Sequence, residues 1–249
     1  MPSARDPGQP PPPHRNPKPA PRAPGGAAKP APPPDQPADA RHAGERILRR
    51  FHEGVLALHE RRSGVRFVVE SASGAIVLPV EPGFAKSLSD ELVLFVPGES
   101  EQQANIALSP ELIARPEAEE ACDRWAAYHG KATHNAWIRG TVDGLKTESA
   151  VYGPDECAGP NPLGRAEYAL IRHANADRAA LSAACKRFGA MPVADPLAVG
   201  ADPLGIDVRA RFGILRLEFP DGVFADTPEK AQREVDRLLG RTPGGSGAT

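Results

Sequence analysis

His129 and His134 stand among Trp125, Tyr128 and Trp137, the densest group of aromatic residues in a chain with two tryptophans and three tyrosines. An imidazole beside aromatic rings suits the axial position of a haem, or the wall of a pocket for another flat ring. The same two histidines also suit plainer places: His129 a helix end, where a cation meets the negative pole, and His134 the surface start of a strand. Cys122 lies seven residues before His129 on the same helical face, but two ligands are too few for a closed metal site. Further on, His173, Asn175 and Asp177 occupy alternate positions. Asp177 has the spacing at which a carboxylate orients an imidazole, as the groups behind metal-bound histidines do. The alternative is that this cluster caps its helix or docks it on a neighbour. Arg172 and Arg178 flank it, and guanidinium geometry suits propionate or phosphate. Gly-x-Ser-x-Gly, His-Glu-x-x-His, the P-loop and Gly-x-Gly-x-x-Gly are all missing, which leaves a hydrolase reading without support. Glu117, Glu119 and Glu120 open a helix, and its dipole explains them better than acid–base catalysis.

The elements that must position these groups follow from periodicity. Residues 45–58 place Ile47, Leu48, Phe51, Val55 and Leu58 on one face, predicting an amphipathic helix. Residues 65–69, 74–78 and 91–96 are short, rich in Val, Leu and Ile and bounded by Gly, Ser or Pro, which predicts strands; 104–108 reads as a fourth. Residues 116–129 form a predicted helix that buries Ala118, Ala121, Cys122 and Trp125 and stops at Gly130. Residues 134–142 and 145–152 flank Asp143-Gly144, the strongest short hairpin signal in the chain. Residues 41–152 thus give about six strands, compatible with a small antiparallel barrel closed by a helix. Pattern alone does not separate that from a half-open α+β sheet. Residues 153–166, rich in Gly and Pro, read as a connection. From Glu167 to Arg187, Tyr168, Ile171, Leu181, Ala184, Cys185 and Phe188 recur at helical spacing. Asp202-Pro-Leu-Gly205 is turn chemistry between two alternating segments, 206–210 and 212–219. Thr227-Pro228 opens a last helix that buries Ala231, Val235, Leu238 and Leu239. Residues 167–240 therefore read as an α-β-β-α unit.

That unit carries a resemblance. His173-x-Asn175-x-Asp177 on a helix, then Gly200-x-Asp202-x-x-Gly205-x-Asp207-Val-Arg209, then Arg216-Leu-Glu-Phe219-Pro220, resembles the C-terminal domain of haem-utilisation split-barrel proteins. The same domain of unknown function is appended to the chloroplast protein that binds glutamyl-tRNA reductase. The match covers about the last third of the chain, and Arg178 replaces a second histidine that family members carry. The resemblance implies an α+β fold, an antiparallel split β-barrel of the FMN-binding, pyridoxamine 5'-phosphate oxidase-like kind over 41–152, followed by the α-β-β-α domain. It implies haem or FMN as cofactor. The candidates to hold it on this chain are His129, His134, Trp137, Arg172, His173 and Asp177, with no metal-ion ligand set assigned. It further implies a homodimer formed through the barrel, ligands at the subunit junction, and a partner in a tetrapyrrole pathway. The tail histidine that ligates iron in those relatives has no counterpart in residues 241–249. The expected function is binding or regulation around a tetrapyrrole or flavin. An FMN-dependent oxidoreductase and a ligand-free interaction module stand as alternatives.

Composition sets the outer bounds. A net charge of -2 and a pI near 6.4 argue against a nucleic-acid-binding surface. Residues 1–40 hold about half of the 29 prolines and almost no large apolar side chain, so they are expected to be disordered, or to offer a polyproline ligand at 10–22. Nothing is long and apolar enough for a signal peptide or membrane span. Three widely spaced cysteines suit a reducing cytoplasm.

Overall fold

Short Val-, Leu- and Ile-rich segments can bury one face only by pairing with other strands, and here eight strands form one antiparallel sheet. The computed structural model describes residues 42–88, 91–98, 103–189 and 192–241. The expected proline-rich tail of 1–40 and the chain beyond 241 lie outside the described residues. A first helix, α1 (Ala43–Arg50), leads into β1 (Glu53–Leu58), β2 (Arg61–Arg66), β3 (Val68–Val69), β4 (Ile76–Val80) and β5 (Leu92–Val96), with the short α2 (Pro82–Ala85) before β5. β6 (Ala104–Leu112), α3 (Glu120–His129), β7 (Ala136–Thr147) and β8 (Val151–Tyr152) follow. The order is β2-β1-β5-β6-β7-β4-β3, with β8 on β7.

The two ends of that order are neighbours in the chain. Residues 61–69 pair with β1 over their first part, Leu58 opposite Arg61 and Glu53 opposite Arg66. Phe67 N–H then donates to the His52 carbonyl at 2.9 Å, after which Val68 and Val69 pair with β4. One bent strand thus changes partner and curls the sheet into the antiparallel half-barrel expected of a split-barrel-like α+β fold. Its interior holds Leu56, Phe67, Ile76, Leu94, Ile106 and Ile138, all buried.

Two expectations for this sheet need correction. The predicted helix over 45–58 ends at Arg50, and β1 begins at Glu53. β1 lies between β2 and β5, and Gly54 packs so closely on the Phe95 carbonyl that a side chain there would collide with it. Pairing on both edges outweighs a local helical pattern whose apolar residues also fit a strand. The Asp143-Gly144 hairpin is likewise absent, because β7 runs straight through both residues. Ala107 faces Gly144 while Leu108 faces Val142, so Asp143 is the extra residue of a β-bulge. The chain reverses after Thr147, whose N–H meets the Ala150 carbonyl at 2.8 Å.

The second sheet follows α4 (Pro154–Cys157), α5 (Gly164–Asn175) and α6 (Arg178–Phe188). It contains β9 (Leu197–Asp202), β10 (Gly205–Ala210) and β11 (Gly213–Glu218), in the order β11-β10-β9, before α7 (Pro228–Leu238). The α-β-β-α expectation is therefore short by one helix break and one strand. Asp177 is extended and accepts from Ala180 N–H at 2.9 Å, capping α6 and splitting the predicted long helix. β9 escaped the alternation test because Ala198, Val199 and Ala201 are buried alike, on both of its faces. The Asp202–Gly205 hairpin and the Thr227-capped last helix stand as expected. Leu170, Leu181, Ile206, Leu217, Val235 and Leu238 form this core. Tyr168 and Phe188, placed on the buried face by spacing, are 74% and 44% exposed. Ala118 sits in a single turn ahead of α3 and is also exposed.

Candidate functional site

α3 positions the aromatic-histidine group. A proline turn precedes it, Glu120 and Asp123 complement its positive pole, and Gly130 ends it at φ +83°, a backbone shape that favours glycine. Ala121, Cys122, Trp125 and Tyr128 face inward. The indole N–H of Trp125 donates to the Arg66 carbonyl at 3.0 Å, and His129 Nε2 lies 3.0 Å from the Phe67 carbonyl. Both carbonyls belong to the bend where the strand changes partner. His129 also packs on Trp125 at 4.9 Å between ring centroids, and Trp125 meets Trp137 edge to face at 5.4 Å. Burial pushes the His129 pKa down to about 4, against a smaller opposing effect of the Phe67 carbonyl. At neutral pH the ring is therefore uncharged and donates its Nε2 proton. His129 is a clamp on the bend.

Beside that bend lies a cavity of about 410 Å³, walled by Trp125, Pro79 and Pro97, with Arg66, Lys131 and His134 on its lining. Arg66 comes from β2, Lys131 and His134 from the loop between α3 and β7. Glu53, opposite Arg66 in the β1–β2 register, also lines it. Among the described residues, no side-chain partner ties down Arg66, Lys131 or His134. The volume falls within the range of small-molecule pockets.

The other predicted site residues lie elsewhere. Trp137 is buried behind Trp125 and does not reach the cavity. His173 Nε2 meets Asp236 Oδ1 at 2.7 Å and Arg241 at 3.1 Å, so the carboxylate beside this imidazole is Asp236, and Asp177 serves as the cap of α6. Asn175 clamps Ala198 of β9 through both its amide groups, each at 2.9 Å. Arg172 is exposed, and Arg178 reaches Asn175 at 3.1 Å. The docking reading of this cluster is the one the geometry supports. Burial, then Glu119, push the Cys122 thiol up to about 11. No group of three metal-capable side chains occurs among the described residues.

The motif residues of the second sheet build a buried ionic seam instead. Arg216 spans Asp202 at 2.9 Å and Asp207 at 3.0 Å. Tyr128, from α3, donates to Asp207 at 2.8 Å and accepts from Arg124 at 2.9 Å. Arg124 in turn holds Glu167 at 2.6 Å, and Glu167 also accepts from Ser71 at 2.7 Å. Burial alone would raise the Asp207 carboxyl, but His52 and Arg216 hold it well below the usual range. His52 stands 3.2 Å from Asp207 Oδ1, poorly aligned for a hydrogen bond, and its Nδ1 is buried without a partner. Gly200 completes the seam. A Cβ there would run into the Tyr128 hydroxyl and lie 2.8 Å from Cζ, so only glycine lets the phenol pass to Asp207.

Sequence reasoning found His134 and its aromatic surroundings but missed Arg66 and Lys131. Lys131 was within reach, as Gly130-Lys-Ala-Thr-His134 is one short loop. Arg66 joins the cavity only through a long-range strand bend. His52 was hidden inside the supposed helix.

The half-barrel with its added three-stranded sheet defines the class, a split-barrel-like α+β protein. No family model and no curated protein matches the chain. Among solved structures, it is similar to a protein of unknown function from Agrobacterium tumefaciens, with a TM-score of 0.60 and 17% identity over 84% of this chain and 99% of that one. It also aligns with a haem-binding protein from Mycobacterium smegmatis, with a TM-score of 0.36 and 19% identity over 82% of this chain and 97% of the other. The first likeness concerns the fold alone, and the second is too slight to bear on function. Among the described residues, no helix is long and apolar enough to cross a membrane.

Proposed function

We propose that the cavity beside α3 binds haem or a closely related tetrapyrrole carboxylate, and that the protein acts by binding it. One observation carries this reading: an imidazole, a guanidinium and an ammonium without side-chain partners line one cavity walled by an indole. A haem brings its own four equatorial nitrogens, so the single imidazole of His134 suffices as a protein ligand to iron. Its two propionates call for cations, for which Arg66 and Lys131 are the residues present. Trp125, Pro79 and Pro97 offer the apolar wall that a flat macrocycle needs. Bound haem would supply a redox-active iron; the chain's part is to hold the ring, neutralise its carboxylates and keep the wall in place through the clamp of Trp125 and His129.

Titration of the full chain with haemin, followed by absorbance, tests this. A shifted Soret band is expected, lost in His134→Ala, weakened in Arg66→Gln and Lys131→Gln, and unchanged in His173→Ala. A Soret shift that survives His134→Ala but not His173→Ala would move the site to the second sheet. Retained FMN without a haemin response would favour the oxidoreductase instead, and silence toward both ligands would leave an interaction module.

A further inference from the structure

A second cavity, of about 740 Å³, opens between α3, the turn after β3 and the segment leading into α5. Its wall is preorganised. Asn161 is buried, donates to the Ala201 carbonyl at 2.8 Å and accepts from Leu163 N–H at 3.0 Å. Prolines at 160 and 162 fix the backbone on either side of it. Gly164 leaves the α5 side open, since a Cβ there would meet only Ser71, at 3.9 Å.

The charges around the cavity sort into spent and unspent. Glu70 is taken by Arg139 at 3.0 Å and by the Ser73 hydroxyl. Arg124 gives its two terminal nitrogens to Glu167 and Tyr128, while its buried Nε lacks an acceptor among the described residues. Arg165 and Glu120 line the cavity and are exposed. Neither has an ion-pair or hydrogen-bond partner of its own among the described residues. Arg165 stands in the first turn of α5, a 12-residue helix whose positive pole adds to its charge. A simple anion would satisfy Arg165 and meet Glu120 as a repulsion, and a simple cation would do the reverse.

We propose that this cavity is a binding site for a small zwitterion of amino-acid type, with its carboxylate on Arg165 and its ammonium on Glu120. The site is separate from the haem-type cavity, and its test does not depend on that reading. The full chain is titrated by calorimetry and thermal shift with each of the twenty common L-amino acids, and with succinate and putrescine as single-sign controls. At least one amino acid is expected to bind about tenfold or more tightly than either control, since each control forfeits one charged contact. Arg165→Gln and Glu120→Gln should each weaken that ligand by a similar factor, leaving haemin titration as in the parent. No response to any amino acid, equal binding of succinate or putrescine, or unchanged affinity in both variants overturns the proposal.

Discussion

Gly200→Ala tests whether the sequence motif of the second sheet exists for packing. The new methyl would strike the Tyr128 hydroxyl and stand 2.8 Å from Cζ and 3.0 Å from Asp207 Oδ2. Forcing an extra carbon into a packed interior costs about 1–3 kcal/mol. If the phenol swings away, its 2.8 Å bond to the ionised Asp207 is lost as well, and such bonds are worth ~1.5–3 kcal/mol. The single substitution should therefore destabilise by about 2.5–6 kcal/mol. Tyr128→Phe alone removes the bond but makes no clash, and should cost about 1.5–3 kcal/mol. Combined, the two should cost clearly less than their sum, because the second removes the nearest of the atoms that the methyl strikes and the bond is lost only once. A coupling of about 2 kcal/mol is expected. Guanidinium unfolding of the four proteins, compared at constant slope, gives the cycle. Additivity within about 0.5 kcal/mol, or a neutral Gly200→Ala, would refute the view that this glycine is there to let the phenol through.

Three further outcomes can be checked on the same footing. His129 has its pKa lowered from 6.5 to about 4 by burial, so the unfolded chain takes up its proton at higher pH than the folded one. Its contribution is complete above pH 6.5 and is lost as pH falls toward 4, by ~2 kcal/mol after allowing for partial exposure; His129→Gln should flatten that part of a stability-versus-pH curve. Asp207, held low, titrates below this window. Arg216→Met should cost about 3–5 kcal/mol in urea unfolding, because it strands Asp202 and Asp207 in the interior. Asp177→Ala should cost about 1 kcal/mol as a lost helix cap and leave haemin titration unchanged, whereas a role in holding cofactor would abolish the Soret shift.

What the sequence made legible was whatever rests on neighbours in the chain. Thr227-Pro228, the Asp202–Gly205 turn and the Gly130 stop are local signals, and each appears where expected. The split-barrel class was legible through the motif residues, although their purpose was not: Asp207, which Arg216 ties to Asp202, meets Tyr128 and His52 only once distant elements pack. β1 was misread because its partners, β2 and β5, decide its conformation. Asp143-Gly144 was misread because the same dipeptide serves a bulge when its strand has a continuous partner in β6. At the candidate site, His134 stood out by chemistry, while Arg66 needed the bend at Phe67 to reach it. The long helix was split by Asp177, whose capping role competed in the sequence with a catalytic-looking spacing from His173.

α3 gives its Trp125 side to the half-barrel and its Tyr128 tip to β10, and Val199 of β9 joins the same apolar cluster. Parting the two sheets would uncover the Tyr128 phenol and break its bond to Asp207 together with the Arg124–Glu167 pair. Cooperativity is thus built into the join. Calorimetry should record one transition with matching van't Hoff and calorimetric enthalpies, and fragments expressed from either side of Gly159 should precipitate unless they are supplied together.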